Sequence, residues 1–232
     1  FEVQYLEGPE GLESNFLYSF MPRPMSPDEL QPITGTSNPQ PLDGEGNNIP
    51  TPDIIAAYEE GDLRKDASID YVEISGSDRE DKVYPYIKKY AKHHDLHGNH
   101  GINWPIYRYA EVLLFLAEAL NEQGKTEEAA GYLNEVRTRA GLADTNASGQ
   151  ADMREAIFQE RRVELAFENK RWFDITRADR VQEIIGEFAE RALANPLDYY
   201  YPEGATFRSN AFTNITKYYA LPAAEAEITP HF

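Results

Sequence analysis

Apolar residues recur with the period of an α-helix in the middle of the chain, from residue 105 onward. In the first segment they are spaced by three and four residues: Ile106, Tyr109, Leu113, Leu116 and Leu120. Gly124 interrupts the pattern, and a second apolar face follows it, made of Ala129, Ala130, Leu133 and Val136. Such spacing places side chains on one side of a helix. The pattern predicts a helical hairpin over residues 105–140 that resembles one tetratricopeptide (TPR) unit.

Signals for helix starts predict three further helices. Pro52 suits the first turn of a helix, which we expect to end near residue 61. Asp152 and Glu155 have the spacing of a capping box, so a helix starting there is expected to include residue 160 and its neighbours. A last helix is predicted from about Asp179 to Leu193, where an Asn-Pro pair follows.

The remaining segments lack a helical period. Residues 21–52 are rich in Pro, Gly, Ser and Asn, which predicts a long loop. Tyrosines alternate with other residues after position 83, which predicts a short strand there. We therefore predict a mainly α fold with few short strands. Within a single domain over 1–232, residues 1–103 are expected to be loop-rich, 104–193 helical and 194–232 irregular.

Three segments together resemble the SusD/RagB family: RYAEVLLFLAEALNE at 108–122, the A-x-x-x-L-N-x-V-R-x-R-A-G-L pattern at 129–142 and ERRVELAFENKRWFDITR at 160–177. The resemblance continues towards both ends of the chain. It implies a SusD-like helical domain that forms the C-terminal half of a larger protein, without the family's N-terminal half. Members of this family are surface-exposed outer-membrane lipoproteins of Bacteroidetes-type bacteria.

The function that this resemblance implies is glycan binding at the cell surface. The bound oligosaccharide would be delivered to a SusC-like TonB-dependent outer-membrane transporter. Association with the membrane would depend on a lipid anchor in the N-terminal half. The alternative is a TPR-type protein–protein interaction scaffold that binds no sugar. The long irregular segments 21–52 and 195–232 argue against it, because TPR arrays consist of tandem hairpins.

Charge excludes one class of partner. The formal net charge is −18, whereas a nucleic-acid-binding protein needs a basic surface that displaces counterions from phosphates. The chain has no Cys, and its longest apolar run, 112–117, is too short to span a bilayer.

The segment 160–177 combines charged residues with apolar ones. Glu160 and Glu164 lie one helical turn apart, so they cannot flank a glycosidic bond as the two carboxylates of a hydrolase do. We expect them to join a structural network of ion pairs, whose other members are Arg161, Arg171, Asp174 and Arg177. No nucleophile or phosphate-binding motif is present in the sequence. We therefore expect neither an enzyme nor a cofactor.

Four of the five histidines, His93, His94, His97 and His100, fall within eight residues. Imidazoles at this spacing are weak candidates for a metal site. Without cysteine or a predicted helix beneath them, we expect a solvated loop and no dedicated metal site.

Candidate ligand contacts lie in the irregular segments, where recognition usually resides. Tyrosine offers both an apolar face and a hydroxyl group, which suits a sugar ring. The candidates are Tyr84, Tyr86, Tyr199, Tyr200, Phe207, Arg208 and Asn210. Trp104 and Trp172 belong to the family-like segments, so we expect them to pack within the protein.

Overall fold

Helices form most of the regular structure, as predicted. The computed structural model describes residues 1–43, 48–77, 82–201, 204–207, 212–213, 215–218 and 220–228. The helices in this part of the chain are α1 Pro27–Thr34, α2 Pro52–Ile55, α3 Leu63–Ser68, α4 Tyr109–Glu122, α5 Thr126–Arg139, α6 Gln150–Glu164, α7 Arg171–Arg177, α8 Val181–Ala194 and α9 Ala223–Ile228. The strands are β1 Glu2–Val3, β2 Ile69–Glu73, β3 Val83–Ile87 and β4 Trp104–Pro105.

The predicted hairpin of α4 and α5 packs against α6. Leu114, Ala117, Ala129 and Leu133 are fully buried between these helices. Ala117 and Ala129 let the helices approach closely because their side chains are small. Each buried leucine contributes about 1.5–3 kcal/mol to the stability of the fold relative to an exposed one. Gly124, at φ +77°, ends α4 in the left-handed conformation that glycine tolerates.

The first helix of this hairpin starts four residues later than predicted, at Tyr109. Trp104 and Pro105 instead form β4, which pairs antiparallel with β1. The amides of Ile106 and Tyr107 both donate to the carbonyl oxygen of Phe1. Hydrogen bonds to the first residues of the chain therefore hold residues 104–107 in an extended conformation, although the spacing of apolar residues predicts a helix there.

The first hundred residues build a second core around β2 and β3, which pair antiparallel in a two-stranded sheet. Its fully buried side chains include Leu17, Met21 and Leu30. Trp104 packs against this core and stacks on Tyr90 with 5.3 Å between ring centroids. Trp104 is thus a packing residue, as expected.

The prediction of one long loop over 21–52 is wrong, because α1 lies within it. Ser26 accepts a hydrogen bond from the amide of Glu29, whose carboxylate accepts one from the amide of Ser26. This capping box satisfies two amides at the start of the helix. Gly35, at φ +72°, ends it. The helix is only eight residues long, too short for its apolar period to stand out among the prolines.

Three other predicted helix limits also need correction. The helix starting at Pro52 ends at Ile55, and α3 follows separately. The predicted capping box at Asp152 is wrong: α6 starts after Gly149, and Asp152 lies inside its first turn. The helix predicted from about Asp179 starts at Val181.

The segment 194–232 contains some regular structure in addition to its irregular stretches. A 3₁₀ turn spans Pro196–Tyr199, and α9 follows near the end. Among the described residues, none of the helices is long and apolar enough to cross a membrane.

Candidate functional site

Two buried glutamates on α6 accept hydrogen bonds from arginines of α3, of α5 and of the residue just before α4. Glu160 accepts hydrogen bonds from Arg64 at 2.6 Å and from Arg137 at 3.1 Å. Glu164 accepts from Arg64 at 3.0 Å, from Arg108 at 2.8 Å and from Arg139 at 2.6 Å. Both glutamates are at most 3% exposed. The arrangement fastens α6 to α3, α5 and the start of α4.

The pKa values of these two carboxyl groups shift in opposite directions. Burial raises the pKa of Glu160, because its two arginines do not fully offset the loss of solvation. Burial acts on Glu164 as well, but the hydrogen bonds and charges of its three arginines outweigh it and lower the pKa. Arginine side chains thus hold both carboxylates.

The second part of the network centres on Asp174 of α7, which is 2% exposed. Arg161 donates to its Oδ1 at 2.9 Å, and Arg177 donates to the same oxygen at 3.4 Å. Arg177 also binds Glu118 on α4. The predicted charged residues thus connect α4, α6 and α7.

Arg171 departs from this expectation. Its Nη1 is buried and donates to no residue within the part of the chain that the structure describes. The guanidinium lies 4.2 Å from the ring centroid of Phe158, a cation–π contact. Burial, together with the nearby charge of Arg162, lowers the pKa of Arg171 to about 10.

Sequence reasoning missed Arg64 and Arg108, which supply much of the positive charge in the network. Arg108 binds Glu164 and, on its other side, Glu168. Both arginines follow loops and lie 56 to 100 residues from the glutamates that they bind. Their only signal is an arginine placed just before or at the first turn of a helix, which is too common to be diagnostic.

The histidine-rich segment is not a solvated loop, contrary to our expectation. His94 and His100 are 6% and 1% exposed. The hydroxyl of Tyr18 lies 2.6 Å from Nε2 of His94, and the ring of His97 packs on Tyr18. His93 lies against Gly35. In the described residues no group of three or more His, Cys, Asp or Glu could hold a metal ion.

Burial also determines how His100 titrates. The amides of Leu17 and Ile102 lie 3.3 Å from its Nε2 and Nδ1, respectively, and the unprotonated nitrogen of the neutral ring accepts a hydrogen bond from the amide that faces it. Burial and the neighbouring His94 lower the pKa of His100 to about 4. The ring therefore stays neutral at mildly acidic pH.

A cleft of about 520 Å³ lies between α6, α7 and α8, with the start of α2 at one edge. Phe158, Trp172 and Phe188 contribute aromatic surface, whereas Arg162 and Arg171 contribute positive charge. Trp172 was expected to be a packing residue, and it is half-buried at the wall of this cleft.

Most of the predicted ligand residues that the structure describes lie in two groups of aromatic contacts, one of which includes Phe188 of this cleft. The Tyr84 and Tyr200 rings are 5.7 Å apart. Tyr199 packs edge-on against Phe188 at 5.4 Å, and its hydroxyl donates to Asp53. We call the half-buried rings of Tyr84, Tyr199, Tyr200, Tyr201, Phe207 and Phe212 the aromatic rim.

Three predicted ligand residues lie elsewhere or cannot be placed. Tyr86 points into the core of the first hundred residues and is 7% exposed, so its ring offers no platform to a ligand. Burial raises its pKa to about 12. Arg208 and Asn210 lie outside the described residues.

Comparison with protein families gives a match to the SusD family over residues 57–230. Among curated proteins, SusD-like protein P2 of Formosa agariphila is 36% identical over 173 residues, which cover 62% of this chain and 34% of that protein. The chain spans between about a fifth and a third of the length of the curated relatives that it matches.

Solved structures share the fold. A SusD superfamily protein from Bacteroides vulgatus superposes with a TM-score of 0.57 at 23% identity, covering 78% of this chain and 42% of that one. A second B. vulgatus protein, described as a SusD-like carbohydrate binding protein, has a TM-score of 0.50 at 24% identity and covers 74% of this chain and 33% of that one.

Proposed function

This chain belongs to the SusD family, and from that premise we propose that it takes part in glycan capture at the surface of a bacterial outer membrane. The family match over residues 57–230 is the observation that carries the proposal. One neighbour in fold is described as a carbohydrate binding protein. The captured oligosaccharide would pass to a SusC-like TonB-dependent transporter. A lipid anchor in a part of the protein outside this chain would hold it at the surface.

Within this chain we propose the aromatic rim as the part that contacts sugar. Tyr84, Tyr199, Tyr200 and Phe207 provide flat apolar faces, and the tyrosines add hydroxyl groups that can exchange hydrogen bonds with a sugar. Phe188 connects the rim to the cleft through its contact with Tyr199. Arg208 and Asn210 remain candidate polar contacts.

The mechanism we propose is binding without covalent chemistry. The buried carboxylates of α6 belong to Glu160 and Glu164, and both accept hydrogen bonds from arginines. A glycosidase would need two carboxyl groups on opposite sides of the scissile bond. These glutamates instead stabilise the helix packing that positions the cleft.

Calorimetric titration of the full-length protein with plant, mucin and bacterial oligosaccharides tests this proposal, with the 232-residue chain run beside it. Tyr84→Ala and Tyr200→Ala should each weaken the affinity for a bound sugar roughly three- to tenfold, the value of one lost aromatic contact. Tyr71→Ala is the matched control. Tyr71 lies on the neighbouring strand, half-exposed, and its residue pair faces the opposite side of the sheet from Tyr84.

Three results would contradict the proposal. Binding of peptides with no binding of any sugar would favour the TPR-type scaffold. Shortened oligosaccharides in the titration cell, detected by mass spectrometry, would show an enzyme. Equal affinity for the two rim variants, Tyr71→Ala and the unmodified protein would remove the aromatic rim from the site.

A further inference from the structure

The four carboxylates that line the cleft between α6, α7 and α8 pair with Arg180 and Arg191 and not with the other arginines of the cleft. Asp53 receives Arg191 at 2.7 Å and the hydroxyl of Tyr199 at 2.7 Å. Glu155 and Glu183 both receive Arg180, at 2.8 Å and 2.6 Å. The carboxylates at the cleft thus already have cationic partners.

Two arginines remain without such a partner. Arg162 donates to the backbone carbonyl of Asp53 at 3.0 Å, which is a neutral acceptor. Arg171 lies on the face of Phe158, and its buried Nη1 has no acceptor among the residues that the structure describes. In the same part of the chain neither arginine forms an ion pair with a carboxylate. A buried donor that lacks an acceptor costs about 1–3 kcal/mol, and more when it is charged.

Burial lowers the pKa values of both groups by more than the nearby carboxylates raise them. Burial lowers the pKa of Arg162, and the nearby Arg191 acts in the same direction. Burial and the charge of Arg162 lower the pKa of Arg171 to about 10. By contrast, the hydrogen bonds that Arg180 donates to Glu183 and Glu155 raise its pKa. Unpaired positive charge in a protein whose formal net charge is −18 is a local feature that an anion could neutralise.

We propose that this cleft binds the anionic group of an acidic glycan, a carboxylate or sulfate carried by a sugar ring, through Arg171 and Arg162. A guanidinium donates two parallel hydrogen bonds to such an oxyanion. Trp172 and Phe188 supply apolar surface for the ring that carries it, and Tyr199 continues that surface to the aromatic rim. The inference rests on the proposed glycan capture and adds the charge class of the ligand.

The test compares three forms of one oligosaccharide, neutral, carboxylated and sulfated, in calorimetric titrations of the full-length protein at low salt. We expect one acidic form to bind about tenfold or more tightly than the neutral form, as one charge-assisted hydrogen bond to a buried group provides. The acidic form that is preferred identifies the anionic group. Higher salt should reduce this preference.

Variants connect the preference to the cleft. Arg171→Gln should weaken binding of the acidic form about tenfold or more and so remove the preference, whereas Arg171→Lys should retain part of the preference. Arg154→Gln is the matched control. Arg154 lies on α6, one of the helices that form the cleft, but it pairs with Glu122 outside the cleft. Without ligand, Arg171→Gln should lower the thermal midpoint only slightly, because it removes the cation–π contact with Phe158 but no ion pair with a carboxylate of the described residues.

The outcomes separate this inference from the proposed function. Equal binding of the neutral and acidic forms would overturn the anion site while glycan capture stands. Absence of binding to every form and every oligosaccharide in the panel would overturn both. A preference that survives in Arg171→Gln and in Arg162→Gln would place the anion elsewhere. A marked loss of stability in Arg171→Gln without any loss of preference would mean that a carboxylate of the protein is its partner.

Discussion

Replacement of Glu164 by glutamine tests whether the buried ion network stabilises the helical part of the chain. Glu164 Oε1 accepts from Arg108 and Arg139, and Oε2 accepts from Arg64 and Arg139, all between 2.6 and 3.0 Å. Glutamine keeps the size of the side chain. However, it removes the negative charge and places an amide NH₂ group opposite guanidinium donors.

The expected cost follows from which arginines keep another partner. Arg64 retains Asp62 and Glu160, and Arg108 retains Glu168. Removing one partner of a buried ion pair costs about 3–5 kcal/mol. Because these two arginines keep other carboxylates, we expect the lower end, about 3 kcal/mol.

Urea unfolding followed by circular dichroism measures this cost as a fall in the midpoint with an unchanged slope. Glu59→Gln is the control, since Glu59 also accepts two hydrogen bonds from one arginine, at 2.6 and 3.0 Å, but is half-exposed. An exposed ion pair contributes about 1 kcal/mol at most. If the two variants lose equal stability, burial does not determine the value of this network and the reasoning fails.

Three further predictions concern stability. The pKa of Glu29 is lowered to about 2: burial opposes the shift, but the hydrogen bonds from Ser75 and Ser26 together outweigh it. The stability that these hydrogen bonds contribute is therefore present above the ordinary pKa of 4.5 and is lost as the pH falls towards 2. The difference in stability between the unmodified chain and Glu29→Gln should shrink over that range. A difference that does not depend on pH would refute this reasoning. The pKa of His100 is lowered from 6.5 to about 4, so unfolding takes up a proton between these values, and acidification from pH 7 to 4 should destabilise the chain by up to about 3 kcal/mol. In His100→Asn that part of the pH dependence should disappear from the urea midpoints. Gly131 lies in the interior of α5, and a Cβ atom there would meet nothing within 4 Å; Gly131→Ala should therefore raise the stability by about 0.5–1 kcal/mol, and a lower thermal midpoint would show that something else occupies this face.

The helical hairpin could be predicted because its signal is local. Residues three and four positions apart share a face of a helix whatever the rest of the chain does. Leu113, Leu120 and Leu133 accordingly lie in the core where the period places them, whereas Tyr109 and Leu116 of the same predicted series are exposed. The same locality explains the success for α8. A local signal was misleading at Asp152, which has the spacing of a capping residue but lies inside the first turn of α6.

The candidate site depended on contacts that no local pattern encodes. Tyr84 meets Tyr200 across more than a hundred positions of sequence. Tyr84 and Tyr86 belong to the same strand and both pack against the core, but only Tyr84 is half-buried and contacts Tyr200 in the aromatic rim. Which residues of a strand face a core depends on what packs against it. Composition alone could identify aromatic candidates, but it could not show which of them are half-buried in the aromatic rim and which are buried in the core.

The sequence by itself determined the helical hairpin and the family, because helical periodicity and the motif at 160–177 can be read without knowing any partner. Only the tertiary structure decided which charges are neutralised. Glu164 and Arg171 lie seven residues apart in one charged motif. The first is held by three arginines, and the second has no carboxylate partner in the described chain. Ion pairing depends on distances of a few ångströms between residues far apart in sequence, and folding alone sets those distances.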